Sequence, residues 1–178
     1  MRSVCVFLSS SPGRPEDVRA IEELARELAA RELTLVYGGA HRGLMGVLAD
    51  ATLAAGGRVV GVIPQALVDY EIAHTGLTEL HVVETMHQRK AMMFALADAF
   101  VVAPGGFGTL EEAFEQLTGL QLGYHRKPMV FLDVAGFWAG LAAFLDHAVD
   151  AQLLRPEFRS LFRTTSSAPA ALDALAAW

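Results

Sequence analysis

The sequence predicts an α/β fold, in which a doubly wound parallel sheet carries helices on both faces. Short apolar segments alternate with longer segments of helical periodicity along the chain. Clusters of Gly, Ser and Pro follow several of the apolar segments, where strands would end. Short strands with little polar alternation are typical of a parallel sheet that is covered on both sides.

The strands are predicted from β-branched and aromatic residues bounded by turn residues. The first ends in a serine-rich turn, the second at Gly38-Gly39, and the third at Pro64. Six strands and a shorter seventh are expected at residues 4–8, 33–37, 59–63, 80–83, 100–103, 129–132 and 162–164.

The helices are predicted from their start and stop signals. Pro15 with Glu16 and Asp17 is typical of a helix start, and Gly56-Gly57 and Gly123 are typical of helix ends. The expected helices cover residues 15–30, 44–55, 86–97, 109–122, 137–149 and 169–177.

Composition limits the class of protein. The 178 residues, 53% hydrophobic and without a linker, predict a single domain over residues 1–178. The net charge of -6 argues against non-specific nucleic-acid binding, and no apolar run is long enough to span a membrane. The single cysteine, Cys5, lies in the first strand and predicts a reduced core residue in a cytoplasmic protein.

The run Pro-Gly-Gly-Phe-Gly-Thr-Leu-Glu-Glu at residues 104–112 holds the densest chemistry. Glycines leave backbone N–H groups accessible, and a helix N-terminus attracts anions, so the run predicts a phosphate cradle. The two glutamates that follow are either favourable helix charges or groups that act on a bound sugar phosphate.

Other clusters fall at the same edge of the predicted sheet. Ser9-Ser10, Gly38-Gly39 and residues 64–74 all follow strands, and a Rossmann-like sheet binds ligands beyond the carboxyl ends of its strands. We therefore expect one composite pocket. Neither a G-x-x-x-x-G-K-[ST] loop nor a G-x-G-x-x-G loop after the first strand is present.

The run at 104–112 and Met-His-Gln-Arg-Lys at 86–90 resemble the paired signatures of the Lonely Guy family. These are cytokinin riboside 5′-monophosphate phosphoribohydrolases, long labelled putative lysine decarboxylases. The resemblance implies an N-glycosidase that hydrolyses cytokinin or adenosine nucleoside 5′-monophosphates to the free base and ribose 5-phosphate. It also implies a homodimer.

The resemblance also implies the site residues. Arg89 and Glu112 match the catalytic pair, and whether Glu112 is a nucleophile or a general base stays open. The matched substrate contacts are Glu71, Arg89, Lys90, Gly105, Gly106, Phe107, Gly108, Thr109, Leu110, Glu111 and Thr118, so Arg89 has both roles. No cluster has metal-ligand spacing, so we expect neither a metal nor a cofactor.

Two alternatives remain. A nucleotide- or molybdenum-cofactor-binding carrier would share the sheet and the glycine loop but would not turn over its ligand. A lysine decarboxylase would need pyridoxal phosphate on a lysine, and the chain has only Lys90 and Lys127. The sequence leaves open whether the substrate carries a prenyl group.

Overall fold

The computed structural model describes residues 1–70 and 72–178. Its core is a seven-stranded sheet with the strand order β4-β3-β2-β1-β5-β6-β7, and every neighbouring pair is parallel. This confirms the predicted fold class. The strands are β1 (Ser3–Phe7), β2 (Thr34–Tyr37), β3 (Val59–Pro64), β4 (Glu79–Val83), β5 (Ala99–Val102), β6 (Met129–Leu132) and β7 (Arg163–Thr165).

Helices connect these strands, as the crossover between parallel strands requires. The longer ones agree with the predicted helices to within about two residues. They are α1 (Pro15–Ala30), α2 (Gly43–Ala54), α3 (Gln65–Asp69), α4 (Met86–Leu96), α5 (Phe107–Gln121), α6 (Ala139–Asp150), α7 (Pro156–Arg159) and α8 (Ala168–Ala176).

The sheet separates two apolar cores. Residues of β1 alternate between them: Val4 and Val6 face the core beneath α1, α2 and α8, and Cys5 and Phe7 face the core beneath α4 and α5. Both faces are therefore buried, which explains why the strands read as continuous apolar segments.

The strand order reverses beside β1. Strands β2, β3 and β4 extend from one side of β1, while β5 pairs with its other side, so the turn after β1 meets the turn after β5. The amide of Ser9 donates to the carbonyl of Pro104 at 3.1 Å. This switch point brings the serine turn and the glycine loop together.

Helix α4 is fixed at both ends. At its start the Thr85 hydroxyl accepts from the Gln88 amide at 3.2 Å, and the Gln88 side chain accepts from the Thr85 amide at 3.1 Å. Near its end the Lys127 ammonium donates to the carbonyl of Phe94 at 2.6 Å and lies 3.8 Å from the centre of the Phe94 ring. The side chains of α4 therefore have a defined position over the sheet.

Some elements differ from expectation. Residues 65–69 form α3, where a loop was expected, and α7 was not predicted; both are too short to show helical periodicity. Helix α5 begins at Phe107, two residues earlier than predicted, because Gly106 is its N-cap and Gly108 lies within its first turn. No helix in the described ranges is long and apolar enough to cross a membrane.

Candidate active site

A cavity of about 480 Å³ opens at the carboxyl ends of the central strands. The composite pocket expected there is therefore present. Its walls come from the turns after β1 and β2, from α3, and from the starts of α4 and α5. The lining residues that bear on its chemistry are Ser9, Ser10, Ser11, Gly38, Arg42, Met86, Arg89, Gly106, Phe107, Gly108, Thr109, Glu111 and Glu112.

The N-terminus of α5 forms one wall. Its N-cap is Gly106, which provides no capping side chain, and the first helical hydrogen bond is from the Leu110 amide to the Gly106 carbonyl at 3.0 Å. In the described part of the chain no acceptor bonds the amides of Phe107, Gly108 or Thr109. These unpaired donors and the helix dipole favour an anion at this point.

The glycines of this loop have different roles. A Cβ on Gly105 would lie 2.0 Å from Oγ1 of Thr109, so a side chain there would displace the buried threonine. A Cβ on Gly106 or Gly108 would meet no atom within 4 Å. Glycine at 105 is thus required for packing, and glycine at 106 and 108 leaves the space before the helix open to a ligand.

The N-terminus of α2 differs from that of α5. Its first amides are already bonded: that of Leu44 donates to the carbonyl of Ser11 at 3.0 Å, and that of Met45 to the carbonyl of Ser9 at 3.2 Å. These bonds hold the serine turn against the cavity. An anion is therefore favoured at α5, which the serine turn borders.

Arg89 is the buried cation of the cavity, with only 6% of the residue exposed. Its Nε donates to the carbonyl of Val62 at 3.1 Å, and its Nη2 to the carbonyl of Gly38 at 3.1 Å. The third nitrogen, Nη1, lies 3.8 Å from Oε1 of Glu112. The ends of β2 and β3 thus hold the guanidinium in place. Its Nη1 also donates to the sulfur of Met86 at 3.8 Å and faces the carboxylate.

Glu112 faces Arg89 from the second turn of α5, and 5% of the residue is exposed. Burial raises the pKa of its carboxyl to about 7, and the Arg89 guanidinium offsets only part of this rise. Desolvation therefore outweighs the ion pair with Arg89. At neutral pH the group can therefore both bind and release a proton.

The predicted site residues do not all lie in the cavity. Arg89, Gly106, Phe107, Gly108, Thr109, Glu111 and Glu112 line it, whereas Lys90, Leu110 and Thr118 do not, and Gly105 lines an adjoining groove. The Thr118 hydroxyl donates to the carbonyl of Phe114 at 2.7 Å, on the outer face of α5. Glu71 lies outside the described residues.

Other cavity residues were not expected. Arg42 and Met45, at the start of α2, had no feature in the sequence that indicated a place at the pocket. Leu67 lies in the expected segment 64–74, but on the helix α3 and not on a loop. Gly38 was expected at the pocket edge. Its contact with Arg89 could not be predicted, because Arg89 lies on a separate element, α4. In the residues that the structure describes, no three His, Cys, Asp or Glu side chains group as metal ligands.

Known proteins place this site in a family. The family model described as "Possible lysine decarboxylase" matches residues 45–175, which include the glycine loop, Arg89 and Glu112. The chain belongs to this family. This confirms the resemblance inferred from the two signatures.

Named relatives agree with this assignment. The chain is 49% identical over 161 residues to a cytokinin riboside 5′-monophosphate phosphoribohydrolase of Rhodococcoides fascians, covering 89% of this chain and 81% of that one. It is 43% identical over 178 residues to an enzyme of the same name from Arabidopsis thaliana, covering 99% and 78%.

A solved structure confirms the fold. The molybdenum cofactor binding protein of Rippkaea orientalis superimposes with a TM-score of 0.75 over 99% of this chain and 96% of that one. The two sequences are 17% identical, so this likeness concerns the fold alone.

Proposed function

We propose that this family member is an N-glycosidase that hydrolyses nucleoside 5′-monophosphates, with adenosine or cytokinin as the nucleoside. The products are the free base and ribose 5-phosphate. One observation carries the proposal: the unpaired amides of α5 and the Arg89–Glu112 pair share one cavity. The names of the relatives in Rhodococcoides fascians and Arabidopsis thaliana support the substrate class.

The cavity suggests how the substrate binds. Its 5′-phosphate would accept hydrogen bonds from the amides at the start of α5 and from the hydroxyl of Thr109. Glu112 lies one turn further along the same helix, so an anchored ribose would present C1′ towards it. The rest of the cavity, lined by Leu8, Met45 and Leu67, suits the apolar surface of a base.

The chemistry follows from the charge that develops on the sugar. Cleavage of an N-glycosidic bond gives the ribose oxocarbenium character, and a carboxylate beside C1′ stabilises it. Glu112 then either removes a proton from the attacking water or forms a covalent ribosyl intermediate that water hydrolyses. Both routes need the ionised form, so kcat/KM should rise with pH through the region near 7 that the pKa of Glu112 sets.

Base release tests the proposal. We expect the protein to release base from AMP or isopentenyladenosine monophosphate, with GMP and CMP as comparison substrates. Because the carboxylate acts on the transition state, Glu112→Gln should lower the rate about 10²-fold or more. Glu157→Gln, on exposed helix α7, is the matched control and should keep the wild-type rate. A Glu112→Gln variant with wild-type turnover would contradict the catalytic assignment.

The carrier alternative rests only on a shared fold with a molybdenum cofactor binding protein. A carrier would bind its ligand without releasing base, so the same assay separates the two functions. The decarboxylase alternative has less support, since neither lysine lines the cavity. Lys90 is paired with Glu111 and Glu115, and Lys127 donates to the carbonyl of Phe94.

We also propose a cytoplasmic homodimer. The buried Cys5 thiol and a nucleotide substrate support the location. Around α4 and α5, exposed apolar side chains such as Phe107, Leu122 and Tyr124 support association between two copies of the chain.

A further inference from the structure

Lys90 extends from α4 to two carboxylates of α5. Its ammonium forms ion pairs with Oε1 of Glu111 and with Oε1 of Glu115, the latter at 3.1 Å. The Lys90 side chain is 11% exposed, whereas those of Glu111 and Glu115 are 55% and 44% exposed. The cation is therefore enclosed by the two carboxylates and does not line the cavity.

This triad stands next to the candidate catalytic pair. Arg89 and Lys90 are consecutive on α4, and Glu111 and Glu112 are consecutive on α5. The two helices are thus joined twice, by the buried Arg89–Glu112 pair and by the triad on its outer side. If the Lys90 ammonium bound a ligand, its ion pairs with Glu111 and Glu115 would weaken. The geometry therefore favours a role for Lys90 in holding these two glutamates.

The triad also controls the charge around Glu112. Glu111 and Glu115 make ionisation of Glu112 less favourable, and Lys90 and Arg89 on α4 oppose them. From the sheet, the Cys5 thiol of β1 faces the same region, and burial raises its pKa so that it is neutral at physiological pH. Without Lys90, two uncompensated carboxylates would flank the catalytic one.

From these contacts we infer that Lys90 is a positioning residue: it holds Glu111 and Glu115 and so keeps Glu112 ionisable opposite Arg89. The inference rests on the proposed function for its catalytic meaning. Its signature is a change in proton affinity at Glu112 that removal of the two paired glutamates reverses, without a change in KM.

A set of charge variants tests this role through the pH dependence of kcat/KM for base release. The rise of kcat/KM with pH on the acid side of the profile (the acid limb) marks ionisation of Glu112. Lys90→Met should move this acid limb upward by about half a pH unit or more, because it removes a cation and exposes two anions. Lys90→Arg keeps the charge and should keep the wild-type profile. Adding Glu111→Gln and Glu115→Gln to Lys90→Met should bring the limb back to the wild-type position or below it.

The opposite outcome is equally specific. If Lys90 contacts substrate, Lys90→Met raises KM, and the two glutamine substitutions do not restore it. That result would overturn the inference. Should Lys90→Met not fold, the Glu111→Gln/Glu115→Gln variant alone still decides, because it should move the limb downward, and an unmoved limb counts against the inference.

A measurement without turnover separates this inference from the proposed function. The Glu112 carboxyl can be titrated by ¹³C NMR of protein labelled at the glutamate carboxyl, with Glu112→Gln identifying its signal. Lys90→Met should raise the titration midpoint relative to wild type and to Lys90→Arg. A raised midpoint in a protein that releases no base would support the triad and overturn the function, whereas an unchanged midpoint would overturn the role of Lys90.

Discussion

At the scale of single residues, the site depends on a carboxyl group that is buried against its preference. Glu112 has a raised pKa because burial removes water from the charged form more effectively than Arg89 replaces it. When such a carboxyl ionises, the free energy of unfolding falls. Active sites commonly contain groups of this kind, because a perturbed pKa makes them reactive. The consequence can be measured in the stability of the protein.

We predict that Glu112→Gln stabilises the protein in a pH-dependent manner. Below about pH 4.5 both the folded and the unfolded chain hold the Glu112 proton, so ionisation of Glu112 carries no penalty. Between about 4.5 and 7 only the folded state keeps it, so wild-type stability falls as the pH rises, and above 7 the loss is complete. Urea unfolding should show the variant gaining on the order of 1–3 kcal/mol relative to wild type between pH 4.5 and pH 8.

The same urea series on Glu157→Gln provides the control, because that exposed glutamate should give a difference from wild type that hardly changes with pH. A pH-independent difference for Glu112→Gln would mean that burial does not raise the pKa of this carboxyl.

Gly38 determines where Arg89 lies. A Cβ at this position would lie 1.9 Å from Nη2 of Arg89, which donates to the Gly38 carbonyl. We predict that Gly38→Ala displaces the guanidinium and lowers base release about 10²-fold, as misplacement of a catalytic group by about 1 Å does. Gly140→Ala in α6 is the matched control, since a Cβ there meets no atom within 4 Å. Equal activity of the two variants would show that Arg89 tolerates the methyl group.

At the scale of secondary structure, α4 carries Arg89 and depends on its caps. We predict that Thr85→Ala destabilises the protein by about 1 kcal/mol, because the amide of Gln88 loses its acceptor at the helix start. Thr85→Ser retains a hydroxyl and should recover most of the loss. Equilibrium urea unfolding measures both; a Thr85→Ser variant as unstable as Thr85→Ala would mean that the methyl group, rather than the cap, is responsible.

The elements that could be predicted are those with a clear local pattern in the sequence. The β6 segment is a continuous apolar run, and α1 starts at Pro15 with acids in its first turn. By contrast, α3 has five residues and no periodicity, and the start of α5 at Phe107 is obscured by Gly108, which disfavours a helix interior. Short elements and glycine-rich starts depend on tertiary contacts that the local sequence does not encode.

The site was predictable to the extent that motifs mark it. The signatures brought Arg89 and Glu112 together correctly, but the pKa of Glu112 depends on how far the folded chain excludes water from it. The partners of Lys90 lie on another helix, so sequence spacing alone did not identify the triad. Contacts between elements are what the sequence leaves undetermined.

At the scale of the whole molecule, the switch in strand order concentrates function at one edge. The sheet extends from β1 in both directions. The helices that follow β1 and β5, α1 and α5, lie on opposite faces of the sheet, so a crevice opens where the two turns meet. The serine turn, the glycine loop and Arg89 all border that crevice. The site is therefore formed by turns and helices from several parts of the chain, and no single segment contains it.

The apolar surface at the far end of α5 leads to the prediction of a homodimer. Tyr124 is 81% exposed and Leu122 55% exposed at the end of α5, and stable dimers bury about 800 Å² per subunit rich in such side chains. Sedimentation equilibrium at micromolar concentration should give twice the mass of the chain. Leu122→Glu with Tyr124→Glu should shift the protein to monomer, whereas Leu153→Glu, at a residue 86% exposed after α6, should leave the dimer intact. A monomeric wild-type protein would contradict the assembly, and dissociation by Leu153→Glu alone would move the interface away from α5.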